Sequence, residues 1–227
     1  MTDGQTPTLT TVSRVDVANS VLRMLSLCKV CATRHVAAFY AHTNRPFIRA
    51  WEVLHYLRER DYVESYRAGM NKEATYRLSR RIRKQYGIIP VRWNSSVMEH
   101  RLAITDVYVD LGEPETFVTE YRSEFDWRGR RHVLCPDAYA EFQTSKGCLR
   151  MFIEVQRTPI ESKRWSEKRM QYEAYYVSGM WQQEFETKPV VVVVMPEPQL
   201  PETIGSPIGY EMYIARHISE VMALWES

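Results

Sequence analysis

The sequence has no long apolar run. Its longest purely apolar stretch, Val190 to Met195, falls far short of the roughly 20 residues of a membrane-spanning helix and suits a buried strand. The start of the chain, Met1 to Thr11, is polar and Thr-rich, without the basic opening and apolar middle of a secretion signal. Cysteine is scarce. The four residues Cys28, Cys31, Cys135 and Cys148 are expected as reduced thiols in a cytoplasmic protein with no membrane association. Cys28-Lys29-Val30-Cys31 has the spacing of half a zinc site, with His35 nearby. Cys135 and Cys148 lie too far off to complete it at ligand spacing, so the pair reads as small buried residues.

What is present is ordinary for a globular chain: 44% hydrophobic and 26% charged residues in a length of 227, enough for one large or two small domains. The net charge of +2 hides an asymmetry. Met1 to Arg92 holds 16 basic and 7 acidic residues, a balance of +9, whereas Trp93 to Ser227 holds 14 and 21, a balance of −7. A basic front half suggests that this half faces a polyanion.

Val17, Val21, Leu22 and Leu25 recur at helical spacing between Val15 and Leu27. Thr33 suits the N-cap of a short helix from Arg34 to Tyr40. Asn44 and Pro46 suit the start of a third helix running to about Arg60. Its apolar face is read as Phe47, Ala50, Val53, Leu54 and Leu57, its other face as Arg45, Arg49, Glu52 and His55. Tyr62–Tyr66 and Ala74–Leu78 then read as two strands joined by a Gly-containing basic turn. Three helices followed by such a hairpin describe a winged helix-turn-helix over residues 12–86, its third helix entering the major groove of double-stranded DNA. Arg45 and Arg49 are the candidates for groove contacts. Arg67, Lys72 and Arg77 suit phosphate contacts, and Arg80 and Arg81 extend the basic surface. Winged helices also serve protein contacts, and a homodimer is one arrangement this reading allows. Residues 87–95, with Pro90 and Trp93, read as a linker.

The rest, residues 96–227, reads as α-β-β-β-α-β-α. Ser96–Leu111 is an amphipathic helix bearing His100 and Asp106, and Thr116–Trp127 is a strand. Leu134–Phe142 and Leu149–Gln156 form a hairpin with a carboxylate on each strand, Asp137 and Glu154. A carboxylate in an apolar strand is costly unless paired, and Mg²⁺ or Mn²⁺ is a natural partner for two held close together. No organic cofactor is indicated. A long helix opens near Pro159 and Glu161 and runs to about Trp181. One of its stripes carries Trp165, Lys168, Tyr172, Tyr175 and Tyr176, which directs Lys168 toward the sheet and the two carboxylates. Val190–Val194 is a buried strand, and Ile208–Trp225 is read as a closing helix.

Pro136-Asp137 and Glu154-Val155-Gln156 in this order of elements resemble the core of PD-(D/E)XK nucleases. The resemblance implies a restriction-endonuclease-like α/β (α+β) domain whose Asp and Glu hold a divalent cation for phosphodiester hydrolysis. The third motif position, usually Lys, is Gln156 here, and an amide supplies neither a base nor positive charge. Lys168 is the candidate replacement. Over Val15 to Trp181 the chain is similar to the replication-relaxation family of plasmids and other mobile elements, which joins a winged helix to such a domain. The similarity rests on His100-Arg101-Leu102 with Asp106, Pro136-Asp137-Ala138, Phe152-Ile153-Glu154-Val155, and Lys168 with Tyr172. It implies DNA binding in control of replication or mobilisation. Two further readings stand beside that one: an active Mg-dependent endonuclease or nickase with Asp137, Glu154, Gln156 and Lys168 as its catalytic set, and an adaptor for a replication or conjugation protein.

Overall fold

In a computed structural model the described residues are 13–67, 73–89, 95–157, 162–195 and 209–226. The chain divides into two compact units, Met1–Pro90 and Val91–Ser227.

The first unit runs α1 (Arg14–Cys28), β1 (Cys31–Ala32), α2 (Thr33–Ala38), α3 (Pro46–Glu59), β2 (Val63–Tyr66), β3 (Thr75–Leu78) and α4 (Arg80–Tyr86). Ser13 caps α1 by accepting from the Asp16 N–H, and the chain leaves the helix through Lys29 in the left-handed region. Val17, Val21, Met24 and Leu25 of α1 pack in the core with Ala50, Val53, Leu54 and Leu57 of α3. Strands β2 and β3 pair antiparallel from Val63↔Leu78 to Tyr66↔Thr75. The two-residue β1 adds to the far edge of β3 and is too short to carry a periodicity of its own. Three local expectations differ. Thr33 is the first residue of α2, and its cap is Ala32, whose N–H donates to the buried His35 Nδ1 at 2.9 Å. Arg45 rather than Asn44 occupies the cap position of α3. Phe47 is 59% exposed and joins Ile48 and Trp51 outside the core, because the buried arc of α3 centres on Ala50, Val53, Leu54 and Leu57. Cys28 and Cys31 are buried packing residues, and burial pushes the Cys31 thiol up.

The second unit runs α5 (Ser95–Asp110), β4 (Thr116–Thr119), β5 (Ser123–Trp127), β6 (Arg130–Leu134), β7 (Ala138–Thr144), β8 (Gly147–Val155), α6 (Ser162–Val177), α7 (Trp181–Glu184), β9 (Val190–Val194), β10 (Met212–Ala215) and α8 (Ile218–Glu226). Five strands form one sheet in the order β10-β9-β8-β7-β4, while β5 and β6 form a separate two-stranded ribbon. β8 pairs antiparallel with β7 and parallel with β9. The β-branched run of β9 is buried along its whole length, as a strand inside a parallel pairing should be.

Four sequence expectations are corrected here. The strand expected over Thr116–Trp127 is two, broken where Glu120 takes φ 59°. The strand expected over Leu134–Phe142 is divided at Cys135-Pro136-Asp137, so Asp137 sits just before β7 rather than on it. The helix expected to reach Trp181 stops at Val177, and Gly179, with φ 76°, turns the chain into α7. Its expected opening at Pro159 and Glu161 lies outside the described residues, as do Lys72, most of the 87–95 linker and Ile208. The closing helix is shorter than expected, because Met212–Ala215 pairs parallel with β9.

Phe152 of β8 is fully buried between aromatic rings, with centroids at 5.3 Å to Tyr121, 5.6 Å to Tyr175 and 5.8 Å to Phe185. Phe152→Ala should destabilise the protein by about 3–5 kcal/mol in urea denaturation. A loss below about 1 kcal/mol would mean this cluster is not the core of the sheet.

Candidate active site

The β7–β8 register pairs Ala138 with Ile153, which brings Asp137 and Glu154 to the same end of the two strands. Asp137 is fixed from both sides. Its Oδ2 accepts the Val155 N–H at 2.8 Å, and its Oδ1 lies 3.0 Å from His100 Nε2 of α5. Burial alone would raise the pKa of Asp137, but the hydrogen bond and charge of His100, the Val155 N–H and the nearby Lys168 outweigh it. The carboxyl is held below its usual range.

Glu154 is only 1% exposed. Lys168 and Tyr172 stand one turn apart on α6 and so share a face. Both reach Glu154 Oε1, the Tyr172 hydroxyl at 2.5 Å and Lys168 Nζ at 3.0 Å. Lys168 also donates to the Cys135 carbonyl at 2.8 Å, in the segment leading to Asp137. Burial pushes the Glu154 carboxyl up to about 7, with Lys168 opposing, Asp137 reinforcing and Tyr172 opposing. The buried phenol of Tyr172 is itself pushed well up, so it stays a donor.

These groups open into a cleft of about 730 Å³ whose lining includes His100, Arg101, Asp137, Glu154, Gln156, Arg157, Arg164, Trp165 and Lys168. Arg101 pairs with Glu120, and Arg157 pairs with Glu99 at 2.9 Å, while Arg164 stands exposed. The Gln156 N–H donates to the Val194 carbonyl at 2.9 Å, extending the β8–β9 ladder and leaving its side chain half-buried at the cleft.

The four residues expected to form a catalytic set, Asp137, Glu154, Gln156 and Lys168, thus line one cleft. Among the described residues no group of three or more His, Cys, Asp or Glu side chains could hold a metal ion. The donor set for a cation is two carboxylates, which fits Mg²⁺, an ion that commonly binds through one or two carboxylates and keeps several waters. Such an ion would compete with the Lys168 ammonium for Glu154.

The candidate DNA contacts of the first unit divide. Arg45, Arg49, Arg67 and Arg80 are exposed, Arg49 beside Glu52 at 3.1 Å. Arg77 is instead turned inward onto Glu64, which also takes Arg83 at 2.8 Å. Arg81 binds Asp61 at 3.2 Å and the carbonyls of Arg60 and Asp61, tying α4 to the end of α3. The roles of His100 as partner to Asp137, of the Cys135 carbonyl, and of Arg157 and Arg164 at the cleft were not singled out from the sequence. The available signals are the His100-Arg101-Leu102 run on α5 and the place of Arg164 and Trp165 one turn before Lys168.

The fold is a mixed α/β protein whose second unit holds a buried carboxylate–ammonium pair at the floor of an arginine-lined cleft. The sequence matches the family model described as replication-relaxation over residues 22–191, most of its length, and the chain belongs to that family, which points to a role in replication or mobile-element function. No curated protein and no solved structure matches it. Among the described residues no helix is long and apolar enough to cross a membrane.

The Glu154–Lys168 pair has a measurable pH signature. A carboxyl raised from its ordinary value to about 7 favours the folded state most below the ordinary value. That stability is lost as pH rises through about 7. Asp137, shifted the other way, loses its contribution only as pH falls through its depressed value, below this window. Lys168→Met removes the counter-charge from an ionised Glu154, so it should cost about 3–5 kcal/mol at pH 8 and much less at pH 5. Equal losses at both pH values in chemical denaturation would reject the pairing.

Proposed function

We propose that the protein is a DNA-binding regulator of the replication or mobilisation of a plasmid or other mobile element. In this reading the first unit is a winged helix-turn-helix: α1, α2 and α3 are the helices and β2–β3 the wing. The observation that carries it is the start of α3, where Arg45 at the cap position and Arg49 in the first turn stand exposed. Arginine at the start of such a helix suits bidentate contact with guanine in the major groove. The basic balance of +9 over residues 1–92 supports the same partner. Arg77, Arg81 and Arg83 then act as internal ties that shape the wing and α4, and Arg67 and Arg80 are the phosphate contacts.

A second reading is favoured by the site geometry: the second unit is a PD-(D/E)XK-like domain with α5, β4, β7, β8, α6 and β9 as its core, and it cleaves DNA. Asp137 and Glu154 would hold Mg²⁺ or Mn²⁺, which when bound stabilises negative charge developing on phosphoryl oxygens. His100 and the Val155 N–H orient Asp137, and Tyr172 orients Glu154. Lys168 supplies positive charge at the position left neutral by Gln156, close to where the scissile phosphate would lie. Arg164 holds the strand at the cleft.

Incubating the full chain with supercoiled and linear DNA in Mg²⁺ or Mn²⁺ separates the two. Under the first reading it binds duplex DNA without cutting, and Arg45→Ala or Arg49→Ala weakens sequence preference by about 1–3 kcal/mol at the contacted base pair. Nicking that disappears in Asp137→Asn with DNA affinity kept would move the conclusion to the second reading. In that case Lys168→Met should abolish cutting and Gln156→Lys should restore or raise it. Duplex binding unchanged in both arginine variants would remove the winged-helix assignment.

Metal binding is checked by calorimetry with Mn²⁺. Because a cation displaces the proton Glu154 retains below about pH 7, affinity should rise with pH through that region. Asp137→Asn should abolish the heat, and binding heat that survives it unchanged would place the ion elsewhere.

A further inference from the structure

The β5–β6 ribbon is additional to the five-stranded sheet, and its two ends differ in character. The base is built into the core. Phe125 and Leu134 are buried, Phe125 meets the Tyr175 ring at 5.6 Å, and Ser123 donates to Glu184 at 2.7 Å. Trp127 is half-buried against that core, whereas the tip beyond it, Arg128-Gly129-Arg130, is exposed. Arg128 and Gly129 both take positive φ, 51° and 71°, the hairpin turn that suits a right-twisted ribbon. Asn or Gly would hold that first position at less cost than Arg.

The charges at the tip are also unspent. On the outer side of the ribbon Glu124 is neutralised by Arg122 at 2.8 Å and by Arg131. Arg128 and Arg130 are exposed and have no carboxylate partner among the described residues. The Arg128 guanidinium lies over the Trp127 ring, 4.4 Å from its centroid, while His132 meets that ring edge-on at 5.7 Å. Trp127 therefore holds Arg128 in place, and register sets Arg130 directly opposite Trp127. Two exposed guanidiniums on a narrow tip, that of Arg128 held over Trp127, within a half of the chain whose balance is −7, are suited to phosphate.

The ribbon also lies near the cleft along the chain. Leu134 ends β6, and Asp137 follows three residues later. Six residues lie between Arg130 and Asp137, so the seven steps from one to the other reach at most about 24 Å. That is about seven base pairs at 3.4 Å each.

We propose that the β5–β6 ribbon is a DNA-binding arm, with Arg128 and Arg130 gripping the phosphate backbone of a duplex engaged by this protein. The proposal rests on the DNA-binding reading above and adds a contact surface on the second unit. It is tested on the full chain by fluorescence anisotropy with a labelled 30-base-pair duplex of mixed sequence at rising salt. The variant is Arg128→Asn with Arg130→Gln. Asn suits the positive φ, so melting should match the wild type, and Arg130→Gln alone serves as a milder second variant. The slope of log affinity against log salt should fall by about 2 for the double variant and about 1 for the single one, with the same loss on unrelated sequences. Arg128→Lys with Arg130→Lys should recover most of the slope. An unchanged slope in the folded double variant overturns the proposal. If Arg45→Ala with Arg49→Ala still weakens binding in that case, the winged-helix reading survives alone. A reduced slope in the ribbon variant beside wild-type binding in the α3 variant would do the reverse. A wild-type chain that binds no duplex overturns both. Loss of binding only to anionic vesicles, with DNA binding intact, would assign the tip to a lipid surface and also overturns the proposal.

Discussion

The second unit depends on how one buried carboxylate is compensated. Glu154 lies on the central sheet at 1% exposure, where an unpaired charge could not be held. Its compensation comes from one face of one helix, through Lys168 and Tyr172. That requirement constrains much else. α6 must cross β8 with those two residues inward, which also brings Trp165, Tyr175 and Tyr176 into the aromatic core. Lys168 must in turn satisfy its remaining donors, and it does so on the Cys135 carbonyl, in the connection between β6 and β7. A polar network satisfied in this way favours one packing of α6 over its neighbours, since sliding the helix by a turn would leave a carboxylate, an ammonium and a phenol unmatched.

The site's main residues were legible because two periodicities agree. The alternation of β8 puts Glu154 on the face of Phe152, and the stripe on α6 puts Lys168 on the face of Tyr172; opposite charges on facing surfaces then leave little freedom. The partners contributed from elsewhere were not legible. His100 reaches Asp137 from α5, and the Cys135 carbonyl belongs to a loop, so neither contact has a sequence period. The strand breaks were hidden for a related reason. Thr116–Trp127 alternates throughout, and nothing in that pattern marks Glu120 as left-handed or assigns its two halves to different sheets. Met212–Ala215 is short and precedes a strongly apolar helix, so its parallel pairing with β9 is set by the tertiary neighbour rather than by local pattern.

In the first unit, charge alone was an incomplete guide to which arginines face outward. Arg77 and Arg83 converge on Glu64, whose carboxyl is desolvated yet held below its usual range by those two hydrogen bonds. Arg81 spends its donors on the turn after α3. Arg34 is used on Glu73, whose carboxylate also takes the Arg34 N–H at 2.7 Å and so closes the start of α2 against the strand side of the hairpin. A basic balance of +9 thus includes several cations committed to holding the unit together, and the outward charge is concentrated on fewer positions than the count suggests.

The mixed pairing of β8 sets an order of assembly in time. Its antiparallel side closes through a tight turn at Ser145 and Lys146, a local event on the microsecond scale. Its parallel side cannot close until the whole crossover through α6 and α7 has been laid down, which is the slower, higher-contact-order step. Asp137 and Glu154 are therefore brought together while still in water, as two ordinary hydrated carboxylates. Glu154 loses its water only when α6 docks, and the same docking delivers its ammonium and phenol. Desolvation and compensation occur in one event, so the growing chain need never hold the naked charge.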